Sequence, residues 1–309
     1  MQNTEISTRR NPHRFNTPVS EFESMDDLLA APSVQSGVSV VRHGKHHVDL
    51  QYIEEESDTL LVSFNSAIPI DDRQVLPVFQ FYYMTEGLRV SKLSISDPAL
   101  DVSIDISSGW YTGASDLPLQ TMLPQIIKKF ATRGNGELKK IVLLGSSAGG
   151  FAAMHVGSQL PGSLVVVNAP QTDLRAHTKE SIDRFANWCF GAQSREEIEN
   201  VLQQSICSSV IPSYSNQCST KLIYLQNLSD PHIEMHLKPF LNGLGLAYTG
   251  ESMVSEHLAL ILGEWGEGHV FAPIPFIQWI LHVACTYPSS NFDGFINSKL
   301  LKEMIGRSR

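Results

Sequence analysis

The chain has 309 residues, 42% of them hydrophobic and 18% charged, with a formal net charge of -9. This is an ordinary globular composition, and the length allows one large domain or two small ones with ample material for a core. A negative balance without a basic stripe speaks against nucleic acid as a partner, and no apolar run reaches the roughly 18 residues of a membrane span.

Residues 1–35 are polar and rich in Asn, Thr, Arg, Ser and Pro. They predict a flexible or loosely docked N-terminal arm. The opening residues lack the apolar segment of a secretory signal, so none is expected. Residues 36–309 predict one domain. GVSVVRHGKHHVDLQYI (37–53) alternates around a His43-Gly44-Lys45 turn and predicts two antiparallel strands. TLLVSFNSA (59–67) is an unbroken apolar run, as in a strand buried on both faces. Strand-like texture continues through 77–87, 89–100 and 103–113. Residues 116–132 have helical spacing, with Pro124 near the helix start.

Beyond this point strands and helices alternate. KKIVLLG (139–145), GSLVVVNAP (162–170), KLIYLQNLSD (221–230) and a segment near 258–262 read as strands. Residues 149–160, 232–245, 274–286 and 296–305 read as helices. Residues 173–219 hold few strand signals and several helical ones, and predict a lid-like insertion. The fold class is therefore α/β: a mostly parallel central sheet with antiparallel first strands, helices on both faces and a helical insertion. Cys189, Cys207, Cys218 and Cys285 form no CxxC pair. Free thiols in a reducing compartment, the cytoplasm, are expected.

The chemistry concentrates in VLLGSSAGGFAAM (142–154). Gly145-Ser146-Ser147-Ala148-Gly149 fits G-x-S-x-G with Ser147 at its centre; Ser146 would need a glycine where Leu144 stands. A chance match in a chain of this length has odds of roughly one in ten, so the match counts because a strand precedes it and a helix follows. A nucleophile on such a sharp turn needs small neighbours, and the next N–H, that of Ala148, faces the same space. A serine also needs a base, and the base an orienting acid. Asp230 ends the NLSD strand, and His269 lies in the loop GEWGEGH after the following strand. Asp173 is the rival acid, and Glu264 and Glu267 lie near His269.

From about residue 37 to 286, GSSAG, the NLSD strand end and the GEGH loop resemble the α/β-hydrolase superfamily. The resemblance implies Ser147 as nucleophile, His269 as general base then acid, and Asp230 as its orienter. It implies an oxyanion hole from Ala148 and the loop Asn65-Ser66-Ala67, with Ser66 or Asn65 as second donor. The common His-Gly start of that loop is absent here. Trp110 and Tyr111 could line a substrate pocket or pack in the core. His232 and His236 read as a solvated helix face, from which a histidine such as His232 could touch substrate. His43, His46 and His47 read as a surface hairpin rather than a metal site.

No nucleotide-binding glycine motif occurs, so no nucleotide cofactor is expected, and no cysteine or acidic cluster completes a metal site around the paired histidines, so no metal is expected either. The leading expectation is a serine esterase acting on a small-molecule or carbohydrate ester through an acyl-enzyme. An O-acyltransferase using the same residues is the alternative, with acetyl-CoA as co-substrate and a carbohydrate or other alcohol as acceptor. A non-catalytic binding protein on the same scaffold is the third.

Overall fold

Strands that are apolar in unbroken runs must be covered on both faces, and the sheet shows how this chain does so. The computed structural model describes residues 9–81, 83–132, 134, 136–215, 218–288, 292, 294–296 and 298–306. Among these residues ten strands form one sheet: β1 (Val19–Phe22), β2 (Gly37–His43), β3 (His46–Ile53), β4 (Thr59–Phe64), β5 (Ser91–Ile95), β6 (Lys140–Ser146), β7 (Leu164–Asn168), β8 (Lys221–Asn227), β9 (Met253–Val254) and β10 (Leu258–Gly263). Their order is β1-β2-β3-β5-β4-β6-β7-β8-β10-β9. β3 pairs antiparallel with β2 and β5, and β9 with β10; the six strands from β5 to β10 through the centre run parallel.

The pleat sends alternate residues to two cores. On β6, Ile141 and Leu143 enter one core while Val142 and Leu144 enter the other. β7 divides Val165 and Val167 from Leu164 and Val166 in the same way. Helices α1 (Met25–Ala30), α2 (Ala99–Val102), α3 (Leu119–Ala131), α4 (Ser147–Ser158), α5 (Lys179–Phe190), α6 (Arg195–Asn200), α7 (Ile211–Ser215) and α8 (Lys238–Gly243) contribute to the first core. Helices α9 (Ile274–Thr286) and α10 (Lys299–Gly306) cover the second. Among the described residues, no helix is long and apolar enough to cross a membrane.

Four sequence expectations change. Residues 1–8 lie outside the described residues, but 9–35 are docked. β1 pairs in parallel with β2, Leu28 of α1 is buried, and Arg10 forms an ion pair with Asp49. The polar composition concealed this because the arm uses backbone pairing and ion pairs, Arg10 with Asp49 and Asp101 and Glu21 with Arg42, in place of an apolar run. The described residues of the segment 77–87 form no strand. Pro77 has no N–H, and the Val78 N–H goes to Ser96 Oγ (3.0 Å) instead of a neighbouring strand. The segment 103–113 is a series of turns held by a buried carboxylate. Pro124 falls inside α3, which starts at Leu119. Its missing N–H gives up one bond, to the Gln120 carbonyl. The cysteines are free, with Cys189 and Cys285 buried.

α4 meets the sheet at very short range. A Cβ on Gly149 would lie 2.3 Å from the Phe64 carbonyl oxygen and 2.7 Å from that of Asn65. Backbone cannot yield as a flexible side chain can. Gly149→Ala should therefore lower the unfolding free energy by about 1–3 kcal/mol, whereas Gly134→Ala, with open space around it, should change it little. Urea unfolding of the two variants tests this, and equal midpoints would refute the close approach.

Candidate active site

β6 ends at Ser146 in extended backbone, and Ser147, the first residue of α4, takes φ +50°. A side-chain-bearing residue rarely adopts that left-handed conformation. Gly145 makes the turn possible: a Cβ there would lie 2.1 Å from the Gly149 carbonyl oxygen. Ala169, at the end of β7, and Trp110 and Tyr111 also have positive φ, at 45°, 51° and 57°. Such strain gathers at sites that hold a fixed geometry.

Asp230 follows β8 and His269 follows β10, which is β8's parallel neighbour. His269 Nδ1 lies 2.8 Å from Asp230 Oδ2, and Asp230 Oδ1 accepts the His232 N–H at 2.8 Å. The Asp230 side chain is fully buried, while that of His269 is about one-third exposed (36%). Burial works against the Asp230 charge, but the hydrogen bonds from His269 and His232 outweigh it and hold its pKa below the ordinary value. Asp173 does not compete for His269. Its carboxylate is paired with Arg175, Nε to Oδ1 at 2.9 Å and Nη2 to Oδ2 at 2.5 Å. Glu264 and Glu267 are exposed.

The rim is continuous from Ser147 to His269. The Gln171 N–H donates to the Ser147 carbonyl (3.1 Å), and Ala169 O accepts from His232 Nδ1 (3.1 Å). The His232 ring centre is 4.1 Å from that of His269. Neither Ser147 Oγ nor His269 Nε2 has a hydrogen-bond partner among the described residues. In unliganded sites such bonds commonly tighten only when substrate arrives.

His232 and His236 are not a solvated face: they are 9% and 1% exposed. The wide helical turn Ile233–Leu237 turns them inward, where Thr172 N–H donates to His236 Nδ1 (3.3 Å). Because His232 Nδ1 donates to a carbonyl, its Nε2 is the unprotonated nitrogen. Burial, assisted by the charge of His269, pushes the His232 pKa down to about 4. Burial likewise pushes His236 down to about 3. The hairpin histidines differ from expectation too: His46 is buried, with Nε2 2.7 Å from Asp116 Oδ1. Asp230, His232 and His269 also present ligand atoms within 4.8 Å of one another, enough to invite a metal ion. In this geometry Asp230 and the Ala169 carbonyl already take the two Nδ1 positions.

The expected oxyanion loop is more fully bonded than its sequence suggests. Asn65 N–H donates to Tyr111 Oη (2.6 Å), and Ser66 N–H donates to Gln80 Oε1 (2.8 Å). Ser66 Oγ donates to the Ser146 carbonyl (3.0 Å), tying this loop to the serine turn. Trp110 and Tyr111 are 3% and 1% exposed, so they stand behind the site as supports and not as an open wall. Trp110 Nε1 donates to Gln171 Oε1, and its ring meets His177 and Phe185 edge-on. Asp97, unnoticed in the sequence, fixes this loop: Gly109 N–H donates to Oδ2 (2.7 Å) and Ala99 N–H to Oδ1 (3.1 Å). Burial raises the Asp97 pKa although these N–H groups pull the other way. Gln171, Gln80 and Asp97 were all missed; an Asp-Pro pair closing β5 and a lone Gln after Ala169-Pro170 were the available signals.

No family model matches the chain, and no curated protein matches it. Solved structures do. A capsule O-acetyltransferase of Neisseria meningitidis serogroup A, solved with CoA, superposes with a TM-score of 0.55 at 13% identity, over 81% of this chain and 95% of that one. The 2,6-dihydroxy-pseudo-oxynicotine hydrolase gives 0.56 at 13% identity, over 82% and 69%. An acylaminoacyl peptidase of Pyrococcus horikoshii gives 0.52 at 13% identity, over 89% of this chain but only 42% of that one. With the strand order described above, these likenesses define the class: the chain has the α/β-hydrolase fold.

The buried histidines set an acid limit on the fold. Between the ordinary 6.5 and about 4, the unfolded chain binds protons that folded His232, His236 and His155 refuse. Stability is therefore complete above this window and is lost as pH falls through it. Urea midpoints measured from about pH 7 down to about pH 4 should decline, and His232→Asn should reduce the slope. A slope identical to wild type would show that His232 does not contribute.

Proposed function

We propose that the chain is a serine hydrolase of the carboxylesterase type, acting on a small-molecule or carbohydrate ester. The observation that carries this reading is the His269–Asp230 pair on the strand-end rim where Ser147 occupies its strained turn. In this mechanism Ser147 Oγ attacks the ester carbonyl while His269 Nε2 takes its proton. Asp230, at Nδ1, keeps the ring in the tautomer that leaves Nε2 basic and stabilises the imidazolium that forms. The Ala148 N–H, in the first turn of α4, donates to the oxyanion, assisted by the helix dipole. His269 returns the proton to the departing alcohol, and water, activated in the same way, releases the acyl group. His232, beside His269, contacts the substrate. Free thiols fit a reducing compartment, the cytoplasm.

The same acyl-enzyme would serve acyl transfer if an alcohol replaced water, with acetyl-CoA as donor and a carbohydrate hydroxyl as acceptor. The likeness to the capsule O-acetyltransferase over nearly all of that protein's length supports this second reading.

Turnover of p-nitrophenyl acetate should fall to the buffer rate in Ser147→Ala and by about 10⁴-fold in kcat in Asp230→Asn. A panel of sugar acceptors added to wild type separates the readings. Acceptor-dependent capture of the acetyl group would make transfer the activity, and its absence hydrolysis. Wild type that neither turns over nor reacts with a serine-directed phosphonate would overturn both and leave a binding scaffold.

A further inference from the structure

We infer that the second oxyanion donor of this site is the side-chain amide of Gln80, not a backbone N–H of the loop after β4. The inference rests on the Ser147 acyl-enzyme reading given above. Both backbone candidates are occupied. Asn65 N–H is buried against the Tyr111 hydroxyl, which also lies 2.6 Å from Asn65 Oδ1 and 2.7 Å from the Ile95 carbonyl. One of those oxygens takes its proton, so the group is locked on every side. Ser66 N–H is held by Gln80 Oε1.

That second bond orients the carboxamide. A backbone N–H can only donate, so the atom facing it is the amide oxygen, and the NH₂ must occupy the other arm. Among the described residues this NH₂ has no acceptor. The residue that holds the amide oxygen, Ser66, is itself tied to the serine turn, since its hydroxyl donates to the Ser146 carbonyl. The segment carrying Gln80 is held at both ends: Val78 N–H donates to Ser96 Oγ (3.0 Å), and the Phe81 carbonyl accepts from Thr85 N–H (3.0 Å) and its hydroxyl (3.1 Å). Phe81, the next residue, has φ +74°, a strained backbone of the kind that functional geometry retains. Ser66 N–H thus acts through Gln80: it polarises and aligns the amide that faces the developing negative charge. Side-chain amides serve this purpose well, because their donors need no reorganisation during reaction.

The test is kinetic, on the full-length chain with p-nitrophenyl acetate. Gln80→Ala should lower kcat by about 10²–10³-fold with KM little changed. Gln80→Glu keeps the acceptor for Ser66 N–H but replaces the NH₂ with a negative oxygen, and should be at least as slow. A trifluoromethyl ketone, which forms an oxyanion on Ser147, should lose affinity in Gln80→Ala by the same factor as kcat/KM. Thermal midpoints close to wild type in both variants would separate this role from folding. Wild-type activity in Gln80→Ala, when Ser147→Ala is inactive, would overturn the inference and leave the acyl-enzyme intact. Faster turnover in Gln80→Ala would also overturn it, showing that Gln80 covers the Ser66 N–H as a plug. Turnover independent of Ser147 would remove the parent reading and this inference together.

Discussion

The contact on which this structure depends is the approach of α4 to the strands beneath it. Gly145 and Gly149 sit where any Cβ would strike carbonyl oxygens of the backbone. With those two positions bare, the chain can leave β6, reverse within one residue and enter the helix. Ser147 is then forced into its left-handed conformation by the closeness of its neighbours. The strain is maintained by packing on both sides of the sheet, since the residues before and after the turn are buried. A side chain placed in this way has little freedom to relax, and this rigidity is what the proposed nucleophile requires.

Around that turn, the rim is built from buried polar groups, each with assigned partners. Asp230 remains charged although enclosed, because His269 and the His232 N–H supply what water would have given. Asp97 shapes the Trp110–Tyr111 turn by accepting from backbone N–H groups. Tyr111 in turn fixes Asn65. The rim therefore behaves as one network whose members orient one another, and low local polarity makes each unpaired group costly. His232 and His236 are held neutral chiefly because burial disfavours their charged forms, and neighbouring imidazoles push the same way.

The sequence revealed the fold best where a single physical signal was strong. Unbroken apolar runs gave β4, β6, β7 and β8 because both sheet faces are covered, and the turn at Gly44 gave the β2–β3 pair. The positions of Ser147, Asp230 and His269 could be read from their places after strands, and the geometry brings Asp230 and His269 into contact. What could not be read depends on partners far along the chain. Gln80 acquires meaning only through Ser66, and Asp97 only through Gly109 and Ala99. The i, i+4 spacing of His232 and His236 showed that they share a face, but not that the face turns inward, since this is decided by how Thr172 and Ala169 approach. The arm before β2 misled for a simpler reason: a short strand with Ser20 and Glu21 lacks an apolar signature, and its register comes from β2.

That arm has a consequence for how the molecule meets others of its kind. A sheet of ten strands has two margins, and each is a row of backbone groups able to recruit a foreign strand. Here one margin is closed by the four residues of β1, whose Glu21 reaches across to Arg42 (3.0 Å), and the other by the two residues of β9. Borders as short as these, one of them carrying a charge-paired glutamate, make poor templates for strand addition. The long apolar strands at the centre are thereby kept from intermolecular pairing, and the protein protects itself against edge-to-edge polymerisation through its two shortest strands.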